Sequence, residues 1–507
     1  MKLAQLLERV HALGVAGPRD AEIRGLAFDS RRATPDCLFV AVPGAKTNGN
    51  RFVREAIEKG AVAVASELEP PPPPFALTRA GGRPVTWIRI PSALDALAQL
   101  AAEFYGRPSE RLTVVGVTGT NGKTTTTYLL EAIFACAGHP TGVLGTVNYR
   151  LRGRTLEAAA NTTPVSAELQ RLLARMLEAG ATHVAMEVSS HALSLKRVDE
   201  VDFDAAVFTN LSRDHLDYHG TREAYLDAKA RLFELITRLP TAKAKRAAIL
   251  NRDDPAFAHL KHVAEPAAVV SYGLRGEADF LAAGPASSLD GTHFRLSWGG
   301  RERTLRLRLI GEYNVYNALA AAATALTLGV PEQRVVEGLE SVAGVPGRLE
   351  PVEAGQKFRV LVDYAHTDSA LEAVLATLRR LPHGRLLTVF GCGGDRDATK
   401  RGPMGLAATA GSDFVYLTSD NPRTEDPLAI LAEIEDGVRS AGRKNYKMVP
   451  DREAAIQEAI RDAQEGDVVL IAGKGHETVQ ILRDRAIDFD DREAAREAIR
   501  RRLKQSA

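Results

Sequence analysis

The segment Gly119-Thr-Asn-Gly-Lys-Thr-Thr125 carries the clearest chemistry in this 507-residue chain. It follows an apolar run over 112–117 and precedes a helical pattern over 128–137 that Gly138 closes. A strand, a glycine-rich turn and a helix N-terminus in that order make a phosphate cradle. Backbone N–H groups and the helix dipole meet the anion, Lys123 reaches the outer phosphates, and the Thr124 hydroxyl can ligate Mg²⁺. The spacing is the short Gly-x-x-Gly-Lys-Thr form, because Val117 stands five before Gly122. A tight strand-to-helix turn would explain the glycines but not the Lys-Thr pair beside them. ATP is the expected ligand, held by Gly119, Thr120, Asn121, Gly122, Lys123, Thr124 and Thr125.

Magnesium takes about six oxygen ligands, so one threonine hydroxyl is not enough. The stretch 183–188 reads as a strand that carries Glu187 towards the cradle and ends in Ser189-Ser-His191. Residues 205–209 read as another, ending in Asn210-Leu-Ser-Arg-Asp-His215. Glu187 is the natural second ligand and His215 a further candidate, although a lone histidine is more often packed or solvated. Lys229, in a helical pattern over 222–235, reads by itself as a solvated helix residue.

Four more apolar runs end in polar turns. Residues 359–362 lead into Asp363-Tyr-Ala-His366, 386–390 into Gly391-Cys-Gly-Gly-Asp-Arg396, 414–418 into Asp420-Asn-Pro-Arg423, and 468–471 into Gly473-Lys-Gly-His-Glu477. Parallel sheets collect ligands outside the carboxyl ends of their strands, so these four turns are expected to line one crevice. Arg396 occupies the place of the last glycine of a dinucleotide fingerprint, which disfavours nicotinamide binding.

The elements that must position these residues alternate between β-branched runs and alanine- and leucine-rich helical patterns, which predicts an α/β fold throughout. The chain is too long for one core. It divides into residues 1–108, 109–346 and 347–507, the last boundary at the Gly344-Val-Pro-Gly347 hinge. The first block has short strands predicted over 38–42 and 61–65, then a five-proline run over 70–74 that reads as a stiff surface loop. The last block closes on an amphipathic helix predicted over 492–503, capped by Asp490 or Asp491. Sixty-five basic and 64 acidic residues leave a charge of +1, which offers no electrostatic argument for nucleic acid or an anionic membrane. Three scattered cysteines suggest neither a disulfide framework nor a zinc site. The N-terminus breaks its apolar residues with charge too early for a signal peptide, and the longest apolar stretch, 318–330, is too short to span a bilayer. A cytoplasmic setting is expected.

Taken in order, Gly119-Thr-Asn-Gly-Lys-Thr-Thr125, Asn161-Thr-Thr-Pro164, Met186-Glu-Val-Ser-Ser-His191, Asn210-Leu-Ser-Arg-Asp-His215, Asn314-Val-Tyr-Asn317, Gly347-Arg348, Asp363-Tyr-Ala-His-Thr367 and Gly473-Lys-Gly-His-Glu477 resemble the Mur ligase family, the amide-forming enzymes of bacterial cell-wall precursor synthesis. The resemblance implies a three-domain α/β architecture: an N-terminal UDP-binding domain, a central P-loop ATPase domain with a mostly parallel sheet, and a C-terminal Rossmann-like domain for the incoming amino acid. It implies that ATP phosphorylates a D-glutamyl carboxylate and that an amine then attacks the acyl phosphate. It also implies a Mg²⁺ cofactor; a monomer is expected.

The resemblance further implies roles for single residues. Lys229 matches the family's carbamylated lysine, whose added carboxylate helps position magnesium; a carbamate needs a neutral amine, so burial or nearby cations are expected to lower its pKa. Glu187 and His215 match metal-site positions. Asn317 and Asp363 would contact the nucleoside and Arg348 the phosphates. Ser30, Asn161, Thr162, Thr163, Ser189 and Arg197 match positions that hold the UDP-sugar peptide, UDP-N-acetylmuramoyl-L-alanyl-D-glutamate.

Asp420-Asn421-Pro422-Arg423 resembles the family members that add meso-2,6-diaminopimelate. Arg423 and Arg396 can fork onto a carboxylate, while Glu477 and the Gly473 carbonyl can take an ammonium. Lysine would leave a guanidinium unpaired. Departures from the family pattern are Leu195, Asn48 with Ala45-Lys-Thr47, and Asp368. The rival readings are a lysine-adding, glutamate-adding or folylpolyglutamate-type ligase, and a non-catalytic nucleotide-binding scaffold.

Overall fold

The computed structural model describes residues 1–44, 47–70, 78, 82–238, 241, 243–244 and 246–506. Pro71–Pro74 of the proline run, and Ala45 and Lys46, lie outside the described residues. Three large sheets succeed one another along the chain, with five, eleven and six strands.

The first sheet spans Gly14–Ala16 to Thr86–Arg89. Its central strands, Cys37–Val40 and Ala63–Ser66, are buried on both faces and paired in parallel. Asn48, where the family pattern is broken, accepts a hydrogen bond from Asn50 N at 2.9 Å and so caps the short helix Gly49–Phe52.

The second sheet is built around Thr113–Thr118. His183–Glu187 and Ala205–Phe208 flank this strand, both parallel to it. Side chains alternate across it: Val114 joins one core cluster, Val115 and Val117 the other. Antiparallel strands extend both edges; one extension is the long meander Phe280–Ser288, Gly291–Trp298 and Arg301–Leu307. The alanine-rich helix Glu312–Thr327 is buried along most of its length against this sheet.

In the third sheet Arg359–Asp363, Val468–Ala472, Leu386–Phe390 and Phe414–Leu417 are neighbours in that order, all parallel. Their carboxyl ends therefore lie side by side. Near-continuous apolar runs suit a sheet covered on both faces, and odd and even residues feed two separate clusters. The final helix, Asp491–Ser506, begins beside Asp490, whose carboxylate accepts from Arg492 N at 2.9 Å. Asp491 is instead fully buried against Arg452. Among the described residues no helix is long and apolar enough to cross a membrane.

Candidate functional site

The cradle starts where the strand Thr113–Thr118 ends. Gly119 has φ +147° and Gly122 φ +88°, both left-handed backbone. A Cβ on Gly119 would sit 1.9 Å from Thr209 Oγ1, and one on Gly122 2.3 Å from Asn317 Oδ1, so only glycine fits at either place. The helix Lys123–Cys136 follows directly, with its free N–H groups at the turn. The Asn210 segment clamps the loop: Thr120 N donates to Asn210 O at 2.8 Å, Asn121 N to Asn210 Oδ1 at 3.0 Å, and Thr209 Oγ1 to Asn121 O at 2.6 Å. The loop is thus held in one shape at the helix N-terminus.

Thr124 Oγ1 donates to Glu187 Oε2 at 3.1 Å inside the protein. Glu187 is 1% exposed, and Thr146 grips its carboxylate through N (2.9 Å) and Oγ1 (3.0 Å). Thr146 Oγ1 also lies 3.1 Å from Thr162 Oγ1. Thr163 Oγ1 donates to the Glu187 carbonyl at 2.8 Å and accepts from Ser189 N at 3.0 Å, while Arg197 Nη1 donates to the Thr163 carbonyl at 2.9 Å. Asn161 joins through its carbonyl, which accepts from Tyr149 at 2.7 Å. Asn161, Thr162, Thr163, Ser189 and Arg197 therefore form one strip leading to Glu187 and Thr124. Ser30 stands apart in the first block, at the start of the short helix Ser30–Arg32, where its hydroxyl donates to Glu55 at 2.8 Å.

Lys229 overturns its reading as a solvated helix residue. It is 1% exposed; its ammonium donates to the Gly119 carbonyl at 2.8 Å and lies 4.3 Å from the centre of the Tyr225 ring. Burial, and after it Lys123, push its pKa well below the ordinary lysine value, against the pull of Asp214. That is the electrostatic condition for a neutral amine. Lys123 donates to the same Gly119 carbonyl (2.9 Å) and to that of Thr120 (2.8 Å). His215 sits in left-handed backbone with its ring against His191 at 4.8 Å, and burial lowers its pKa.

The oxygen donors of Thr124 and Glu187 fit a hard cation completed by phosphate oxygens and water. They do not make an all-protein cage: no group of three His, Cys, Asp or Glu among the described residues is arranged to hold a metal, and no contact there joins His215 to Glu187.

From the start of the third block, Arg348 Nη2 reaches Thr124 Oγ1 at 3.4 Å, with its guanidinium 5.0 Å from the Tyr364 ring centre. Asp363 uses both carboxylate oxygens to fix the backbone beside Arg348, accepting from Leu349 N at 2.7 Å and Ala365 N at 2.8 Å. Asn317 donates to Asn314 at 3.0 Å and packs on the cradle at Gly122. In this conformation Asp363 positions Arg348, and Asn317 supports the loop.

The four strand-end turns of the third sheet do meet. Arg423, at φ +53°, donates from Nη1 to Gly394 O at 2.9 Å and from its backbone N to Ile481 O at 3.0 Å. Asp420 Oδ1 accepts from Asn421 N at 2.7 Å, and its other oxygen lies against Gly473. The Pro422 carbonyl accepts from Glu425 N at 3.1 Å, closing the turn. Asn421 Nδ2 donates to Glu477 Oε2 at 2.7 Å. Arg396 is exposed, and among the described residues neither it nor Arg423 has a carboxylate ion pair. Two guanidiniums without an ion pair among the described residues, on turns neighbouring the one that carries Glu477, have the charges to meet a zwitterionic amino acid. Sequence reasoning gave no role to Thr146, Tyr225, Lys474 or Arg452 and took Asp491 only as a possible helix cap; Lys474 lies within a quoted motif, Tyr225 in the helical pattern of Lys229, and Thr146 in neither.

Three stretches of the chain match family descriptions: residues 22–105 the Mur ligase family, catalytic domain; 117–325 the Mur ligase middle domain; and 347–475 the Mur ligase glutamate ligase domain. A protein of Solibacter usitatus named UDP-N-acetylmuramoyl-L-alanyl-D-glutamate–2,6-diaminopimelate ligase is 48% identical over 99% of this chain and 98% of its own. The chain belongs to the Mur ligase family. A protein of the same name from Syntrophomonas wolfei is 45% identical over 99% of this chain and all of its own length. A solved structure of an enzyme with that name aligns with TM-score 0.68 at 33% identity, covering 99% of both chains. A MurF ligase from Thermotoga maritima in complex with ADP shares the fold, with TM-score 0.63 at 20% identity over 97% of this chain.

Proposed function

We propose that this chain is an ATP-dependent ligase that joins meso-2,6-diaminopimelate to the D-glutamyl carboxylate of UDP-N-acetylmuramoyl-L-alanyl-D-glutamate. The observation that carries the reading is the junction at Thr124: it links the cradle, Glu187 with the strip leading away from it, and Arg348 of the third block within hydrogen-bond distances. Relatives bearing that ligase's name along the whole chain support the substrate.

A carboxylate is a poor electrophile, so it must gain a leaving group. The strip Asn161–Ser189 holds the nucleotide peptide with its glutamyl carboxylate towards Thr124, and the cradle presents the γ-phosphoryl. The carboxylate oxygen attacks that phosphorus and the bond to ADP breaks. Lys123 and Arg348 offset the charge on the phosphoryl oxygens, so positioning and electrostatics supply most of the rate. Magnesium, when bound through Thr124, Glu187 and the carbamate of Lys229, would neutralise further phosphate charge. The amine of diaminopimelate then attacks the acyl carbon, the amide forms, and phosphate leaves with the former carboxylate oxygen. Arg423 and Arg396 take the amino acid's distal carboxylate; Glu477 and the Gly473 carbonyl take its distal ammonium.

An amino-acid panel tests the reading. With ATP and the nucleotide dipeptide, ADP release should require diaminopimelate and be weak with lysine or glutamate. Equal use of lysine refutes the substrate assignment, and ADP release with no added amino acid refutes the coupled reaction.

A further inference from the structure

Lys474 is 0% exposed, a rare place for an ammonium, and no step above uses it. Its Nζ has three acceptors: Val479 O at 2.6 Å, Glu477 Oε2 at 3.1 Å and Asn421 Oδ1 at 3.2 Å. An ammonium has three donors, so its capacity is filled. Asn421 and Glu477 sit on turns of two different strands, and Lys474 ties both together. The same Asn421 oxygen accepts from Ile481 N at 2.9 Å, and its amide donates to Glu477 Oε2 at 2.7 Å. Each group thereby has one orientation. Glu477 Oε1 has no hydrogen-bond partner among the described residues, so it is the atom available to a ligand.

A second buried cation of this region, Arg452, has a different task. Arg452 is matched by its own buried carboxylate, Asp491, through two bonds of 2.7 Å, and its remaining bonds go to the Ser419 and Ala472 carbonyls. That pair ties strand ends together. Lys474 has no carboxylate reserved for it; both side chains it holds are those expected to face the amino acid.

We propose that Lys474 is a positioning residue for the incoming amino acid, which fixes Asn421 and Glu477 so that Glu477 Oε1 meets its distal ammonium. This rests on the substrate reading given above. Removing the ammonium frees the Glu477 carboxylate and the Asn421 amide to rotate, so recognition of the amino acid suffers while the distant cradle keeps its geometry.

The test is steady-state kinetics of the full chain and of Lys474→Met, with KM measured separately for diaminopimelate, ATP and the nucleotide dipeptide. Losing a hydrogen bond to a charged partner corresponds to about tenfold or more. The KM for diaminopimelate should rise by at least that factor, while the KM for ATP stays within about threefold. Unchanged diaminopimelate KM, or equal rises for all three substrates, overturns the proposal. Should Lys474→Met fail to fold because Glu477 is left without a counter-charge, the double variant Lys474→Met/Glu477→Gln removes both charges. Its diaminopimelate KM should exceed that of Glu477→Gln alone, because Asn421 is also released; equality overturns the proposal. If the unaltered chain does not use diaminopimelate at all, the substrate reading itself has failed, and that is seen before any variant is made.

Discussion

Replacing Glu187 by glutamine separates the electrostatic role of this carboxylate from its structural one. The side chain keeps its size. Its oxygen can still accept from Thr146 N, now 2.9 Å from Oε1, but an NH₂ replaces Oε2, which accepts from Thr124 Oγ1 at 3.1 Å and Thr146 Oγ1 at 3.0 Å. Both hydroxyls can rotate to accept instead. Bonds to a charged group contribute roughly 1.5–3 kcal/mol and neutral ones about 0.5–1.5, so each converted bond loses about 1 kcal/mol. A neutral amide is also cheaper to bury than a carboxylate, which offsets part of the loss. The fold should therefore survive, with melting lowered by a few degrees. Activity should fall far more: removing one preorganised charge partner of a transition state costs roughly 10²–10³ in kcat. The assay is ADP release over a magnesium titration, beside calorimetric binding of magnesium with ADP. A kcat within about threefold of the unaltered chain, with the same magnesium dependence, would refute the reasoning.

Lys229→Ala should abolish ligation and be partly rescued by a small added carboxylate, because it removes the buried amine beside Gly119; full activity of that variant at low bicarbonate contradicts the carbamate. His183 gives a pH test well away from the cradle. Burial, then His139 and Lys243, push its pKa down to about 4, and its ring stacks on His139 at 4.2 Å. The folded state keeps it neutral while the unfolded chain binds a proton below about 6.5, so its stabilisation is whole above that pH and is lost as pH falls towards 4. His183→Gln should flatten the loss of stability between pH 6.5 and 4 by at most about 1.4 kcal/mol per pH unit, less where water screens the ring. An unchanged slope counts against the assignment.

Much of this was legible in local sequence. The strand ends of the third sheet could be read because each apolar run leads into a turn that bears a glycine or an aspartate, and Gly119 and Gly122 marked the turn of the cradle. The cradle helix was expected only from 128 but starts at Lys123, since its first turn, Lys-Thr-Thr-Thr-Thr, has no apolar periodicity and is set by the loop before it. The meander over Phe280–Ser288 to Arg301–Leu307 was not anticipated; its alternation is broken by alanines and glycines, and a register shift lies between Ala283 and Ala286. Lys229 was misread without the family resemblance because its partner, Gly119, is 110 residues away. Lys474 and Arg452 were silent for the same reason: charge on a helix or turn predicts solvent until the carboxylates that meet it are placed by the fold.

The most direct measurement of the central claim follows oxygen. With ¹⁸O in the glutamyl carboxylate of the nucleotide dipeptide, transfer of that oxygen to phosphorus before amide formation predicts inorganic phosphate carrying one labelled oxygen per turnover. Unlabelled phosphate, formed alongside the amide, would contradict activation by phosphoryl transfer at the junction of Thr124, Glu187 and Arg348.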